Sequence, residues 1–218
     1  MNEKPILAIE TSDKLCGASV YFNNEKYSET ILMLKNSHSE KIFNCVDVSL
    51  KQIGVELKDC KVIAVSSGPG SFTGLRIGLS SAKGLAMGSG LPIVLVPTFE
   101  ALALELLLST KPGDEFVIAN KVNIEEIYYA RFKNDGNIYK FVEDLKLIRQ
   151  DELENLSKGV LVFGNVVNSN LKIINKFAPS PKSIAEWCMR FGQNLLTYEY
   201  DYLEPKYLKS FSINRKVK

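Results

Sequence analysis

Histidine is almost missing from this chain: His38 is the only one among 218 residues. No imidazole pair can therefore hold a metal, and no Ser-His-Asp triad can be assembled elsewhere in the chain. The four cysteines (Cys16, Cys45, Cys60, Cys188) are scattered, with no CxxC pair, so zinc-ligand spacing is absent as well. Neither HExxH nor GxSxG occurs, which removes recognisable protease machinery. Charge of one sign is also lacking. Twenty-seven basic against 25 acidic side chains leave a formal net charge of +2, so no global field calls for a polyanionic partner. The longest apolar run, "ALALELLL", is interrupted by Glu105 and is far too short to cross a bilayer. The opening "MNEKPILAIE" enters a strand right after Asn2, Glu3 and Lys4 and does not read as a signal peptide. Together with the unpaired cysteines, this leads us to expect a cytoplasmic protein with reduced thiols and no membrane partner.

What is present is a well-patterned chain, 45% hydrophobic and long enough for one large domain or two small ones. Strand-like runs at 5–11, 15–22 and 27–34 open it, with Asn23-Asn24 turning the second into the third. A helix follows, capped by Ser37 or Ser39, with Ile42, Val46, Leu50 and Ile53 on one apolar face. Buried strands at 61–67 and 92–97 bracket a helix over 72–89, and Thr98 is placed to cap the helix after them. Three meandering strands followed by alternating helix and strand specify a mixed sheet with helices on its faces. That order matches the half-domain of the actin-like, sugar-kinase and Hsp70 ATPase (ASKHA) superfamily. The second half repeats the opening in shorter form. Strands are expected at 115–121, 125–132, 137–148 and 159–164, a short helix behind Asp151, and a terminal helix over about 182–200. The expected fold is therefore α/β with two related lobes, the second degenerate: residues 1–98 and 99–218, the terminal helix packing back on the first lobe.

The most unusual stretch is "SSGPGSFTGLRIG", Ser66 to Gly78. A Walker loop needs lysine after its last glycine, and Leu75 stands there. A dinucleotide loop needs GxGxxG with a later acidic residue for the ribose; here the spacing is one residue longer and no such acid follows. The superfamily's own first phosphate loop would fall at "ETSDKL", which has no glycine before Gly17, so Glu10 and Asp13 are poor candidates to hold magnesium. Gly68, Pro69 and Gly70 read as a tight strand-to-helix turn. On the helix, Gly74, Gly78, Ser81 and Gly88 fall within roughly 40° of one line. Glycine inside a helix costs about 1 kcal/mol against alanine, so a backbone must approach that face closely, either this chain's own sheet or another helix. Arg76, Ser80, Lys83 and Met87 form a second, basic stripe: a solvated face, or one that meets an anionic partner.

Five blocks in order, "ILAIETSDKLCGASV", "HSEKIF", "GPGSFTGLRIGLSSAKGLA", "PTFEALA" and "LEPKYLK", resemble the bacterial TsaB (YeaZ) family. The resemblance implies a non-catalytic partner of the related catalytic protein TsaD. With the ATPase TsaE, these transfer a threonylcarbamoyl group to an adenosine beside the tRNA anticodon. It implies no catalytic residue, metal or cofactor in this chain, with a nucleotide at the inter-domain or inter-subunit cleft as the lesser alternative. The catalytic relative's HxxxH reads His38-Ser39-Glu40-Lys41-Ile42 here, and His38 is expected to make a polar contact at the helix start. The family's pairing mode implies docking through the first two helices, with a homodimer when the partner is absent. On that basis His38, Ile42, Phe43, Val46, Gly74, Leu75, Arg76, Gly78, Leu79, Ser81, Lys83 and Met87 are the expected interface, Gly74 and Gly78 admitting the other helix. Family members carry Asp-Ala-Arg where Asn120 and Lys121 stand in this chain. The tail after Glu204 interleaves Lys206, Lys209, Arg215, Lys216 and Lys218 with Tyr207 and Phe211. It is either a solvated tail or a tRNA contact, tRNA otherwise being reached only indirectly. The competing reading is an ASKHA-fold ATPase or small-molecule kinase with its own weak nucleotide site.

Overall fold

The computed structural model describes residues 4–33 and 38–208. The first sheet contains β1 (Ile6–Glu10), β2 (Leu15–Tyr21), β3 (Tyr27–Met33), β4 (Val62–Gly68) and β5 (Ile93–Pro97) in the order β3-β2-β1-β4-β5. The opening meander is antiparallel (Ile6 opposite Tyr21, Leu15 opposite Met33), and β1, β4 and β5 run parallel. Every residue of β1 and β4 is buried, which is why these strands read as continuous apolar runs: helices or a second sheet cover both faces.

Alternate residues of the central strands serve two cores. Leu7, Ile9, Ile63 and Val65 face α1 (His38–Ile53) and α2 (Phe72–Ser89). Ile6, Ala8, Val62 and Ala64 face α3 (Thr98–Leu106) and α5 (Pro181–Phe191), with Phe116, Ile118 and Phe132 of the second sheet beyond. The second sheet comprises β6 (Glu115–Lys121), β7 (Glu126–Asn134), β8 (Tyr139–Arg149), β9 (Leu161–Gly164) and β10 (Ile173–Ile174), ordered β10-β9-β6-β7-β8. Read from its other edge, that is the first sheet's order again. A four-residue helix, α4 (Leu153–Leu156), stands where α1 stands in the first lobe, and residues 165–172 replace α2. This is the two-lobed ASKHA arrangement with a degenerate second lobe.

Several local expectations differ from the structure. Ser37 lies outside the described residues, and Ser39 is inside α1 rather than its cap. Thr98 is the first residue of α3, not its cap, because its hydroxyl accepts from the Gly68 N–H at 3.0 Å. Asp151 sits in a 3-10 turn and pairs with Arg149 at 3.0 Å. The terminal helix stops at Phe191. Beyond Gly192 a 3-10 turn (Gln193–Leu195) leads into an extended stretch that gives the edge of β5 a partner, Ile93 and Thr197 exchanging N–H···O bonds of 2.9 and 3.0 Å.

Candidate functional site

The glycines of the Ser66–Gly78 stretch answer to the first hairpin. A β-carbon at Gly70 would overlap the Ser12 carbonyl; at Gly74, the Thr11 carbonyl; at Gly78, the Thr11 hydroxyl. The seat is fastened by hydrogen bonds. The Ser71 N–H donates to the Ser12 carbonyl at 2.6 Å, and the Thr11 hydroxyl donates to the Gly74 carbonyl at 2.8 Å. Ser71 caps α2 by accepting from the Gly74 N–H, and Gly68 holds a φ of +111° that glycine tolerates. The amides of Gly68, Ser71 and Gly74 are thus spent inside the chain. A glycine does lie beside the Thr11–Ser12 turn, brought there by the other loop, and the Ser12 carbonyl fills the space it opens. The expectation that Gly74 and Gly78 admit another helix is therefore corrected: what approaches them is this chain's own β1–β2 turn. No local signal shows a contact between residues more than 60 apart.

Glu10 ends β1 and is wholly buried; burial pushes its carboxyl up to about 7, against the opposing hydrogen bonds from Ser12. Asn120 stands on the matching face of β6, two residues beyond Ile118 as Glu10 is two beyond Ala8. Asp13, also raised by burial, accepts from the Lys14 N–H at 2.7 Å and from the Asn165 side-chain amide across the lobes at 3.0 Å. Between the lobes opens a cleft of about 720 Å³ bordered by Asp13, Lys14, Asn120, Lys121, Tyr128 and Phe177. Asn120 donates to the Phe177 carbonyl (2.7 Å) and the Lys121 N–H to Asn165 (2.7 Å), so the two positions where the family pattern departs help to shape this cleft. The Nε2 of His38 lies 2.8 Å from the Asp13 carbonyl and ties the start of α1 to the same turn. Among the described residues no group of three or more His, Cys, Asp or Glu side chains is placed to hold a metal.

The twelve expected interface residues divide sharply. Ile42, Val46, Leu75 and Leu79 are core residues, and Gly74, Gly78, Ser81 and His38 are also buried within the chain. Phe43 (51% exposed), Met87 (66% exposed) and Arg76 face outward, with Lys83 half-buried. The outward face also carries a glycine that the sequence reading missed. Gly84 is exposed, with nothing within 4 Å of where its β-carbon would sit, and Gly88 is the same. At 100° per residue Gly84 lies about 40° from exposed Ser80, opposite the line of Leu75, Ala82 and Ala86. A helical wheel centred on those apolar residues would have found it. Among the described residues no packing accounts for a glycine there.

Comparisons with known proteins fit this arrangement. The family model described as "TsaD: tRNA N6-adenosine threonylcarbamoyltransferase" matches residues 32–158, more than half the chain. The tRNA threonylcarbamoyladenosine biosynthesis protein TsaB of Buchnera aphidicola (from Acyrthosiphon pisum) is 28% identical over 193 residues, 82% of this chain and 86% of that protein. TsaB of Escherichia coli is 31% identical over 148 residues, 68% of this chain and 63% of that one. The solved structure of YeaZ from Pseudomonas aeruginosa superposes with a TM-score of 0.77 at 19% identity, covering 94% of this chain and all of that one, and so shares the fold. The chain belongs to the TsaB (YeaZ) family, the tRNA threonylcarbamoyladenosine biosynthesis proteins related to TsaD.

Proposed function

We propose that this protein serves tRNA threonylcarbamoyladenosine biosynthesis as a non-catalytic activating subunit. It docks through the outward face of α1 and α2 on a TsaD-type catalytic paralogue, in the cytoplasm, with a TsaE-type ATPase completing the set. Gly84 carries this reading. An exposed glycine in a helix interior costs about 1 kcal/mol, and nothing among the described residues requires it. Flanked by exposed Met87, and with Phe43 exposed on α1, it suits the close approach of a second helix. The same face serves a homodimer when the partner is absent, because the two proteins would present equivalent helix pairs. The non-catalytic part of the reading is supported by His38, whose ring nitrogen is engaged with the Asp13 carbonyl, and by loop amides bonded inside the chain. Reconstitution tests it: tRNA modification by the TsaD-type and TsaE-type proteins should depend on this chain and be lost with Gly84→Leu. Equal modification without the chain would refute the reading.

The inter-lobe cleft favours one second reading, a weak nucleotide site. Its volume suits a small ligand, and Lys14 and Lys121 supply positive charge at its border. Saturable ATP hydrolysis by the isolated chain, abolished by Glu10→Ala, would support an ATPase; no hydrolysis above background would rule against it.

A further inference from the structure

The last described residues return to the start of α2. The Lys206 N–H donates to the Ser67 carbonyl at 2.8 Å, and the Lys206 carbonyl occupies the space a β-carbon on Gly68 would need. Tyr207 then packs its ring on Phe72, centroids 5.0 Å apart, and its hydroxyl accepts from Arg76 Nε at 3.1 Å. The guanidinium carbon of Arg76 sits 3.9 Å from the centre of the Phe72 ring. Arg76 nevertheless remains exposed, and it takes part in none of the ion pairs among the described residues. A free arginine samples many rotamers and loses that freedom when it binds; this one is already held by a ring below and a hydroxyl at Nε.

We propose that Lys206–Tyr207 braces Arg76 as the receptor for a carboxylate on the protein that docks against α1 and α2. This inference rests on the docking reading above. A carboxylate is favoured over nucleic-acid phosphate by the surroundings. A phosphate backbone is held by several cations along a track, whereas on the described face of α2 Arg76 is the exposed cation and Lys83 is half-buried, beside Ser80, Gly84 and Met87. An oriented guanidinium amid small and apolar groups has the composition of an interface anchor, and its two Nη groups can meet a carboxylate end-on. The brace spans 131 residues of sequence, so Lys206–Tyr207 supports the docking surface from far along the chain.

The test is a double-mutant cycle on affinity for the TsaD-type protein of the same organism, by titration calorimetry on full-length chains. Arg76→Ala should weaken binding about tenfold or more, and Tyr207→Ala about threefold to fivefold. The double variant should be no weaker than Arg76→Ala alone, since Tyr207 acts only through Arg76. Tyr207→Phe, which keeps the ring on Phe72, should show the same direction with a smaller loss, and raising salt should shrink the Arg76 effect. Tyr207→Ala binding within twofold of wild type, or losses that multiply in the double variant, would overturn the brace while leaving the docking reading in place. An Arg76→Ala chain that binds the protein normally but loses tRNA affinity would overturn it in favour of phosphate. Wild type that fails to bind would instead overturn the docking reading, and the brace with it.

Discussion

Gly78 and Gly84 lie on one helix and answer to different neighbours. Gly78 is buried against the Thr11 hydroxyl, so Gly78→Ala forces an overlap that Thr11, bonded to the Gly74 carbonyl, cannot relieve by turning freely. Gly84 has open space outside it. Gly78→Ala should therefore destabilise the isolated chain by about 1–3 kcal/mol, and Gly84→Ala should stabilise it by up to about 1 kcal/mol. Urea unfolding of both variants checks the pair; equal effects would mean the two faces are wrongly assigned. Glu10 makes a second prediction at this scale. Its carboxyl is raised from 4.5 to about 7 by burial, so between those values the folded chain holds a proton that the unfolded chain has released. Stability from that proton is fully present below about 4.5, falls as pH rises, and is gone above about 7. Glu10→Gln removes the ionisation, so the stability of the variant relative to wild type should grow across this window by about 3 kcal/mol. A difference that stays flat with pH would show that Glu10 titrates normally.

At the scale of elements, α5 and α3 are tied to the second sheet through one hydroxyl. Tyr139 on β8 accepts from the Trp187 indole of α5 at 2.9 Å and donates to Glu100 of α3 at 2.5 Å. Burial and the Glu100 carboxylate keep this phenol protonated far above the usual range. Tyr139→Phe leaves the buried indole N–H unpaired and should cost about 1–3 kcal/mol in a denaturant titration; a neutral outcome would mean the three elements are held by packing alone. The parallel strands of the first lobe were legible because burial on both faces leaves continuous apolar runs, and α1 because Ile42, Val46, Leu50 and Ile53 recur on one helical face. The repeat in the second lobe was legible from three strand-like runs that copy the first lobe's antiparallel opening. The end of α5 was not, because nothing near Gly192 announces that Thr197 will pair with Ile93, an edge far away in sequence. The role of the small residues on α2 was only half legible. The stripe of Gly74, Gly78, Ser81 and Gly88 marked a close approach, and only the structure identifies Thr11 as what approaches Gly74 and Gly78. Residues 165–172, standing where the second lobe has no counterpart of α2, follow no period that could be read.

For the whole molecule, the two lobes differ in what they keep. The first retains α1 and α2 at full length, while the second has a four-residue helix and a loop in their places, so only one lobe presents a helix pair. The account therefore predicts one docking face per chain, bearing Phe43, Arg76, Gly84 and Met87. The most direct measurement is the dissociation constant between this protein and the TsaD-type protein of its own organism, for wild type and Gly84→Leu, with thermal melts of both chains alone. The account predicts that wild type binds, that Gly84→Leu melts no lower, and that its binding is weakened about tenfold or more. Gly84→Leu binding as tightly as wild type would contradict it.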